Sequence, residues 1–189
     1  DQVIAMVPFL EDKVISGSDD RTIKVWSATN VACERTLEVG GWVRSLLVWE
    51  DMVFAGTLSG PILVISPTSW TVERTLEGHE GTVCSLVMCG SSLVSGSYEN
   101  TIRVWSTATW TSERTLDAHT NFVMALTTVG DKLVSGSYDL TIKVWDTMML
   151  EGPAVLFRVS LAMLKAVEGD LSLAREHVAC FVLSRNRGG

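Results

Sequence analysis

The stretch "TVCSLVMCGSSLVSGSYENTIRVWSTATWTSERTLD", residues 82–117, decides the fold, because it holds four short strand-like runs and its pattern recurs along the chain. "TVCSLVM" and "LVSGS" are apolar enough to be buried on both faces, "TIRVW" is β-branched and aromatic, and "SERTLD" alternates polar with apolar. Gly90-Ser91-Ser92, Glu99-Asn100 and Thr107-Ala108-Thr109 separate these runs as turns. The spacing predicts a four-stranded antiparallel meander. A single such sheet cannot bury both of its faces, so units must stack.

The same unit repeats with a period near 40. Ser/Ala-Gly-Ser/Thr steps place Gly17, Gly56, Gly96 and Gly136 at intervals of 39, 40 and 40 residues. The runs "TIKVW" (22–26), "PILVI" (61–65), "TIRVW" (101–105) and "TIKVW" (141–145) keep the same offsets, as do "ERTLE" (34–38), "ERTLE" (73–77) and "ERTLD" (113–117). Four units are expected, at about 2–39, 41–79, 80–119 and 120–147.

These residues resemble the WD-repeat β-propeller family over about 1–147. The resemblance rests on Gly78-His79, its variant Ala118-His119, the turn carboxylates Asp20 and Asp139, and the strand-ending Trp26, Trp105 and Trp145. Only Trp145 is followed by Asp. The family pattern implies a buried network joining the His before the first strand, a Ser on the second, the turn carboxylate and the Trp indole. Carried over by position, His119, Ser135, Asp139 and Trp145 form a full set. His79, Ser95, Glu99 and Trp105 form a second, with Glu in place of Asp. The second unit has Ala55, Ser59 and Ile65 at the matching places and a linker one residue shorter, which marks it as the least rigid.

A Ser, a His and an Asp in one place also suggest a hydrolase triad, but no GxSxG elbow surrounds Ser135. The set therefore reads as structural, and no catalytic residue, metal-ligand set or cofactor is assigned. In the family, the residue before the turn carboxylate often lines a partner-binding face, which here means Asp19, Leu58, Tyr98 and Tyr138; the plain alternative is an ordinary exposed turn residue. The resemblance implies a non-catalytic interaction scaffold for proteins or peptides. Some members also carry an F-box or RING module, which adds the substrate receptor of a ubiquitin ligase as an alternative.

After Asp146 the pattern changes. "EGPAVLFRVSLAMLKAVEGDLSLAREH" has Pro153 at a plausible first helical position and apolar residues that nearly encircle a helix over 153–167. Residues 144–165, and more loosely 144–170, resemble the C-terminal part of the TBC domain of Rab GTPase-activating proteins, through Trp145-Asp146, Glu151-Gly152 and Val155-Leu156-Phe157-Arg158. That family's catalytic motifs, Ile-x-x-Asp-x-x-Arg and Tyr-x-Gln, do not occur in these 189 residues. The resemblance implies a link to a Rab regulator of membrane traffic without GTPase-activating function in this chain. The expected class is thus mainly β, a partial propeller of about four blades over 1–147 with the last blade lacking its outer strand, followed by a helical tail over 148–189. Two exposed apolar surfaces result. The helix is expected to fold back on the fourth unit, or the chain to self-associate.

Bulk properties narrow the partners. The net charge is −7, with 10 Lys/Arg against 18 Asp/Glu in residues 1–150 and 5 against 4 in 151–189. This disfavours phosphate-backbone binding, so no nucleic-acid partner is expected, and acidic blades favour basic or polar peptides. "PAVLFRVSLAMLKAV" is interrupted by Arg158 and Lys165, so no membrane insertion is expected. "DQVIAMVPFL" has no basic n-region and reads as the start of a truncated chain rather than a signal peptide. Cys33, Cys84, Cys89 and Cys180 form no CxxC pair or disulfide framework, which points to a reducing, cytoplasmic setting.

Overall fold

The structure is a computed structural model that describes residues 2–117 and 119–146 and the backbone of 158–159. Runs of five to seven residues and one of two, broken by turns at the intervals above, fold into four antiparallel sheets whose first three strands are mostly apolar. The first holds β1 (Val3–Phe9), β2 (Lys13–Ser18), β3 (Thr22–Ser27) and β4 (Cys33–Glu38). The second holds β5 (Val43–Trp49), β6 (Met52–Thr57), β7 (Ile62–Ser66) and β8 (Thr71–Leu76). β9 (Val83–Cys89), β10 (Ser92–Ser97), β11 (Ile102–Ser106) and β12 (Ser112–Leu116) make the third, and β13 (Val123–Val129), β14 (Lys132–Ser137), β15 (Ile142–Asp146) and β16 (Arg158–Val159) the fourth. Strand order within each sheet follows the chain, and the first strands β1, β5, β9 and β13 pack in succession.

The register repeats with the sequence. Gly17, Gly56, Gly96 and Gly136 pair with Ala5, Ser45, Ser85 and Ala125, and a register shift follows at the same place near the start of each first strand. A second shift interrupts the pairing of third and fourth strands at Val25/Trp26, Val64/Ile65 and Val104/Trp105. Such bulges increase local twist, which is what stacked, rotated sheets need.

The core consists of three junctions between successive sheets rather than one centre. Ile15, Ile23 and Val25 meet Val43, Leu46 and Ile65 in the first. Phe54, Ile62 and Val64 meet Val83, Leu93 and Trp105 in the second, and Val94, Ile102 and Val104 meet Val123, Leu133 and Trp145 in the third. Adjacent residues such as Leu93 and Val94 point to opposite faces and so serve different junctions. That explains why the second strands read as continuously apolar.

The outer edge of the fourth sheet corrects the expectation for the tail. Arg158 and Val159, placed by sequence inside a helix, are extended and pair with Lys143 and Ile142 of β15. An open third strand presents a row of unpaired N–H and C=O groups, and a following segment that can align with them gains backbone hydrogen bonds that local helix propensity does not outweigh. The fourth sheet therefore has a short outer strand where none was expected. The rest of the expected helix over 153–167, and of the tail over 148–189, lies outside the described residues.

In each of the first three units, the three turns between strands each hold a residue with left-handed backbone, and the fourth unit does so at Gly130 and Leu140. The turn between third and fourth strands does so at Val31 (φ 57°), Trp70 (φ 56°) and Trp110 (φ 60°). Trp70 is buried by packing, but the Val31 side chain is 82% exposed and gains little for its strain. A β-branched residue is the least suited to this region, whereas Asn tolerates it. Val31→Asn is expected to stabilise the protein by about 1 kcal/mol, read as a higher urea midpoint. A lower midpoint would show that the valine makes contacts that outweigh its backbone strain.

Candidate interaction surface

The turns between second and third strands and the linkers into each next sheet lie at one end of the structure, and hydrogen bonds hold them there. His119 Nδ1 lies 2.8 Å from Asp139 Oδ2 and Nε2 lies 2.7 Å from Ser135 Oγ, which also accepts the Trp145 indole N–H at 2.9 Å. Asp139 further accepts from the amides of Thr120 and Thr141 and from the Thr141 hydroxyl. The third sheet repeats the arrangement, with His79 2.6 Å from Glu99 Oε1 and 2.7 Å from Ser95 Oγ, and Trp105 donating to Ser95 at 2.8 Å.

One proton arrangement satisfies every group in such a chain. The indole donates to the serine, the serine hydroxyl donates to Nε2, and Nδ1–H donates to the carboxylate, which requires a neutral imidazole. Burial pushes the pKa of both histidines below the ordinary value, more than Glu99 or Asp139 pushes it up. Burial acts to raise Glu99, but the hydrogen bonds from Thr101, His79 and the Glu80 amide hold it at about 2, and the same balance places Asp139 well below the ordinary carboxylate range.

The first sheet keeps part of this pattern: Trp26 donates to Ser16 at 2.8 Å and Asp20 caps Thr22. Hydrogen bonds from the Thr22 hydroxyl above all lower Asp20 to about 2. In the second sheet, Ala55 and Ile65 are fully buried, so apolar packing replaces the polar chain there, while Ser59 is exposed and contacts Thr57.

The two serines of these chains are not presented as nucleophiles. Ser95 and Ser135 are fully buried, and their oxygens are engaged by an indole and an imidazole. Cys84 donates its S–H to the Val123 carbonyl across the third junction at 2.7 Å, and burial pushes its pKa up to about 12, so the thiol stays protonated. Cys33 and Cys89 are also free thiols.

The four turn residues singled out from sequence occupy equivalent places. The amides of Asp19, Leu58, Tyr98 and Tyr138 donate to the carbonyls of Gln2, Trp42, Thr82 and Phe122, each just ahead of a first strand. Their surroundings divide the face in two. Tyr98 stacks on Phe122 with ring centroids 4.5 Å apart and planes 7° apart, and Phe122 meets Tyr138 at 6.0 Å and 48°. This aromatic row crosses from the third sheet to the fourth. At the other side, Arg44 lies 3.4 Å from Asp19 and over the Trp42 ring, and a shallow depression is lined by Gln2, Asp19, Asp20, Arg21 and Trp42. Trp42 and Phe122 escaped the sequence reading, although both immediately precede a first-strand valine at the same repeat offset.

Comparison with known proteins fits this repeat. The family model described as WD domain, G-beta repeat, matches residues 7–27, 70–106 and 110–146, half of the sequence. The chain belongs to the WD-repeat family. In an alignment 106 positions long that covers 44% of its length, this WD-repeat chain is 30% identical to mitochondrial division protein 1 of Eremothecium gossypii, and over 37 residues, 20% of its length, it is 54% identical to F-box/WD repeat-containing protein 7 of Drosophila melanogaster. It spans 15% and 3% of the lengths of those relatives. Among solved structures, the computationally designed Ika4 protein superposes with a TM-score of 0.69 at 31% identity, covering 77% of the WD-repeat chain and 91% of the designed one. The designed Ika8 protein gives 0.67 at 31% identity, covering 77% and 46%.

Proposed function

We propose that the chain is a non-catalytic scaffold that binds a protein or peptide segment across the turn-bearing end of its blades, with Tyr98, Phe122 and Tyr138 as the anchoring row. The carrying observation is that row itself: three aromatic rings from two blades held in contact, with Tyr138 44% exposed and Phe122 36% exposed. Rigid aromatic side chains give large contact area at small entropic cost, and few such residues supply most of the energy of an interface. The domain reading behind it is a propeller segment over 1–147 and a tail over 148–189, of which Arg158–Val159 joins the fourth sheet. The acidic balance of residues 1–150 favours a basic or polar segment as partner.

A panel of arginine- and lysine-bearing peptides, read by fluorescence anisotropy, tests this. Tyr98→Ala and Tyr138→Ala are each expected to weaken the best binder by about 2 kcal/mol, roughly thirty-fold. Thr109→Ala, in an exposed turn at the opposite end, should leave it unchanged. Equal losses from all three substitutions would remove the surface from consideration.

A second reading, substrate recognition within a ubiquitin ligase, draws on the 54% identity to a relative whose name joins an F-box to WD repeats. It uses the same surface and differs in the partner, which would be a segment that is then modified. The Rab-regulator reading rests on the sequence of residues 144–165 alone, and incubation with GTP-loaded Rab proteins is its direct test: no acceleration of hydrolysis by this chain is expected.

A further inference from the structure

We propose that two copies of the chain join head to tail, the face of the fourth blade of each that no other described blade covers receiving the first blade of the other. The three internal junctions define what such a face accepts. In each, the second-strand glycine lies so close to the next first strand that a side chain there would collide: Gly17 with Val43, Gly56 with Val83, and Gly96 with Val123. Gly136, at the same offset, faces only Ala125 of its own blade among the described residues. Around it Val134, Ile142 and Val144 are half-buried, whereas their counterparts Val94, Ile102 and Val104 are fully buried by the fourth blade. β16 pairs with β15 at the outer edge of this blade.

The matching half of a junction is at the other end of the same chain. Val43, Val83 and Val123, the residues that fill these glycine recesses, are 0% exposed, but Val3 is 53% exposed. Leu46 and Leu86 are buried at 8% and 9%, while their counterpart Met6 is 66% exposed, and Trp26 is half-buried where Trp105 and Trp145 are buried. Thus Val3, Met6 and Trp26 present the pattern that three internal junctions already show fitting a face like that of Gly136. The edge of the junction agrees with this. Where Asp19 and Arg44 form an ion pair across the first junction, the counterparts at the two ends are Tyr138 and Ile4, both exposed and both apolar in body.

The junction between copies lacks a bond that the second and third internal junctions have, as does the first, where Ala5 stands at the serine position. Ser45 donates to the Val83 carbonyl and Ser85 accepts from the Leu126 amide across internal junctions, but the fourth blade has Ala125 at that position. Apolar contact is then the main attraction, and because the junction joins separate chains, association depends on concentration. The designed structures fit a two-unit arrangement: the four blades cover 91% of one designed chain but 46% of the other, which is about twice as long as the unit they match. A head-to-tail contact that closes after two copies buries both end faces of each, whereas one that does not close polymerises.

Sedimentation velocity of the full 189-residue protein over a wide concentration range decides between these outcomes. The expected result is a reversible species of twice the chain mass. Met6→Asp, at an exposed position, and Gly136→Leu, where a side chain meets open space, should each weaken self-association by about ten-fold or more while leaving the circular dichroism of the chain intact. Mixing the two variants should restore one of the two junctions, because the unaltered first blade of one can still enter the unaltered fourth blade of the other, while the second junction, altered on both sides, stays open. A monomer at every concentration overturns the proposal and assigns the face to another occupant, such as residues beyond 159. Open-ended polymers or association undiminished by both variants would overturn it equally.

Discussion

Replacing Trp105 by alanine is expected to cost about 3–5 kcal/mol of stability, the largest loss of any single substitution considered for this chain. The indole is 1% exposed and fills the second junction among Phe54, Ile62, Val64, Leu76, Leu86 and Leu93. Deleting it loses the transfer free energy of a large ring and leaves a cavity that two twisted sheets, tied at both ends by turns, cannot close. It also deprives Ser95 of the donor that its oxygen accepts. Trp26 supplies a control within the same molecule. It occupies the same repeat position and donates the same hydrogen bond, to Ser16 at 2.8 Å, but its ring lies on the side of the first blade that no other blade covers. Trp26→Ala should therefore cost much less. A urea series for both variants separates burial from hydrogen bonding, and equal losses would show that the indole–serine bond, rather than the packing, carries the stability.

The contrast between those two tryptophans also shows what was readable in the sequence. The period and the four strand runs follow from offsets, since a repeat that must stack fixes which units meet, whereas the partners of the two histidines came from the resemblance to WD repeats, carried over by position. Burial does not follow from offsets alone. Trp26 and Trp105 are the same letter in the same place, and only the number of neighbouring blades distinguishes them. The short strand at Arg158–Val159 was hidden for a different reason: Ala, Leu and Met in the surrounding run favour helix locally, and an open strand edge elsewhere in the chain overrides that preference. The stacking of Tyr98 on Phe122 was missed because it joins a turn of one blade to a linker of the next, a contact between units that a search within one unit cannot find. Left-handed backbone at Leu10, Val31 and Trp70 was likewise silent, because none of these residue types signals it.

His119→Ala and Asp139→Ala should each destabilise the fourth blade by about 1–3 kcal/mol, since either change leaves buried partners unpaired. Removing His119 strands the Ser135 hydroxyl, which keeps the Trp145 donor but loses its own acceptor. Removing Asp139 strands the Nδ1–H of His119 together with the amides of Thr120 and Thr141. Ser59→Ala, at an exposed position in the blade without this chain of bonds, should do far less. The same groups set the response to acid. A histidine whose folded pKa lies below its unfolded value contributes stability that is complete above pH 6.5 and is lost as pH falls from there toward the folded value, because the unfolded chain takes up the proton first. The depressed carboxylates add a second loss, beginning near their unfolded values of about 4 and continuing to lower pH. Stability of the native chain should thus decline in two stages on acidification, and the upper stage arises from His79 and His119. In His119→Ala the upper stage should shrink, because one of its two sources is gone, and in the double variant with His79→Ala it should vanish while the lower stage persists in reduced form. Urea midpoints measured between pH 7.5 and 3 provide the test. An upper stage undiminished in the double variant would mean that protonation at these imidazoles does not oppose folding, and the neutral chain from indole to carboxylate would have to be abandoned.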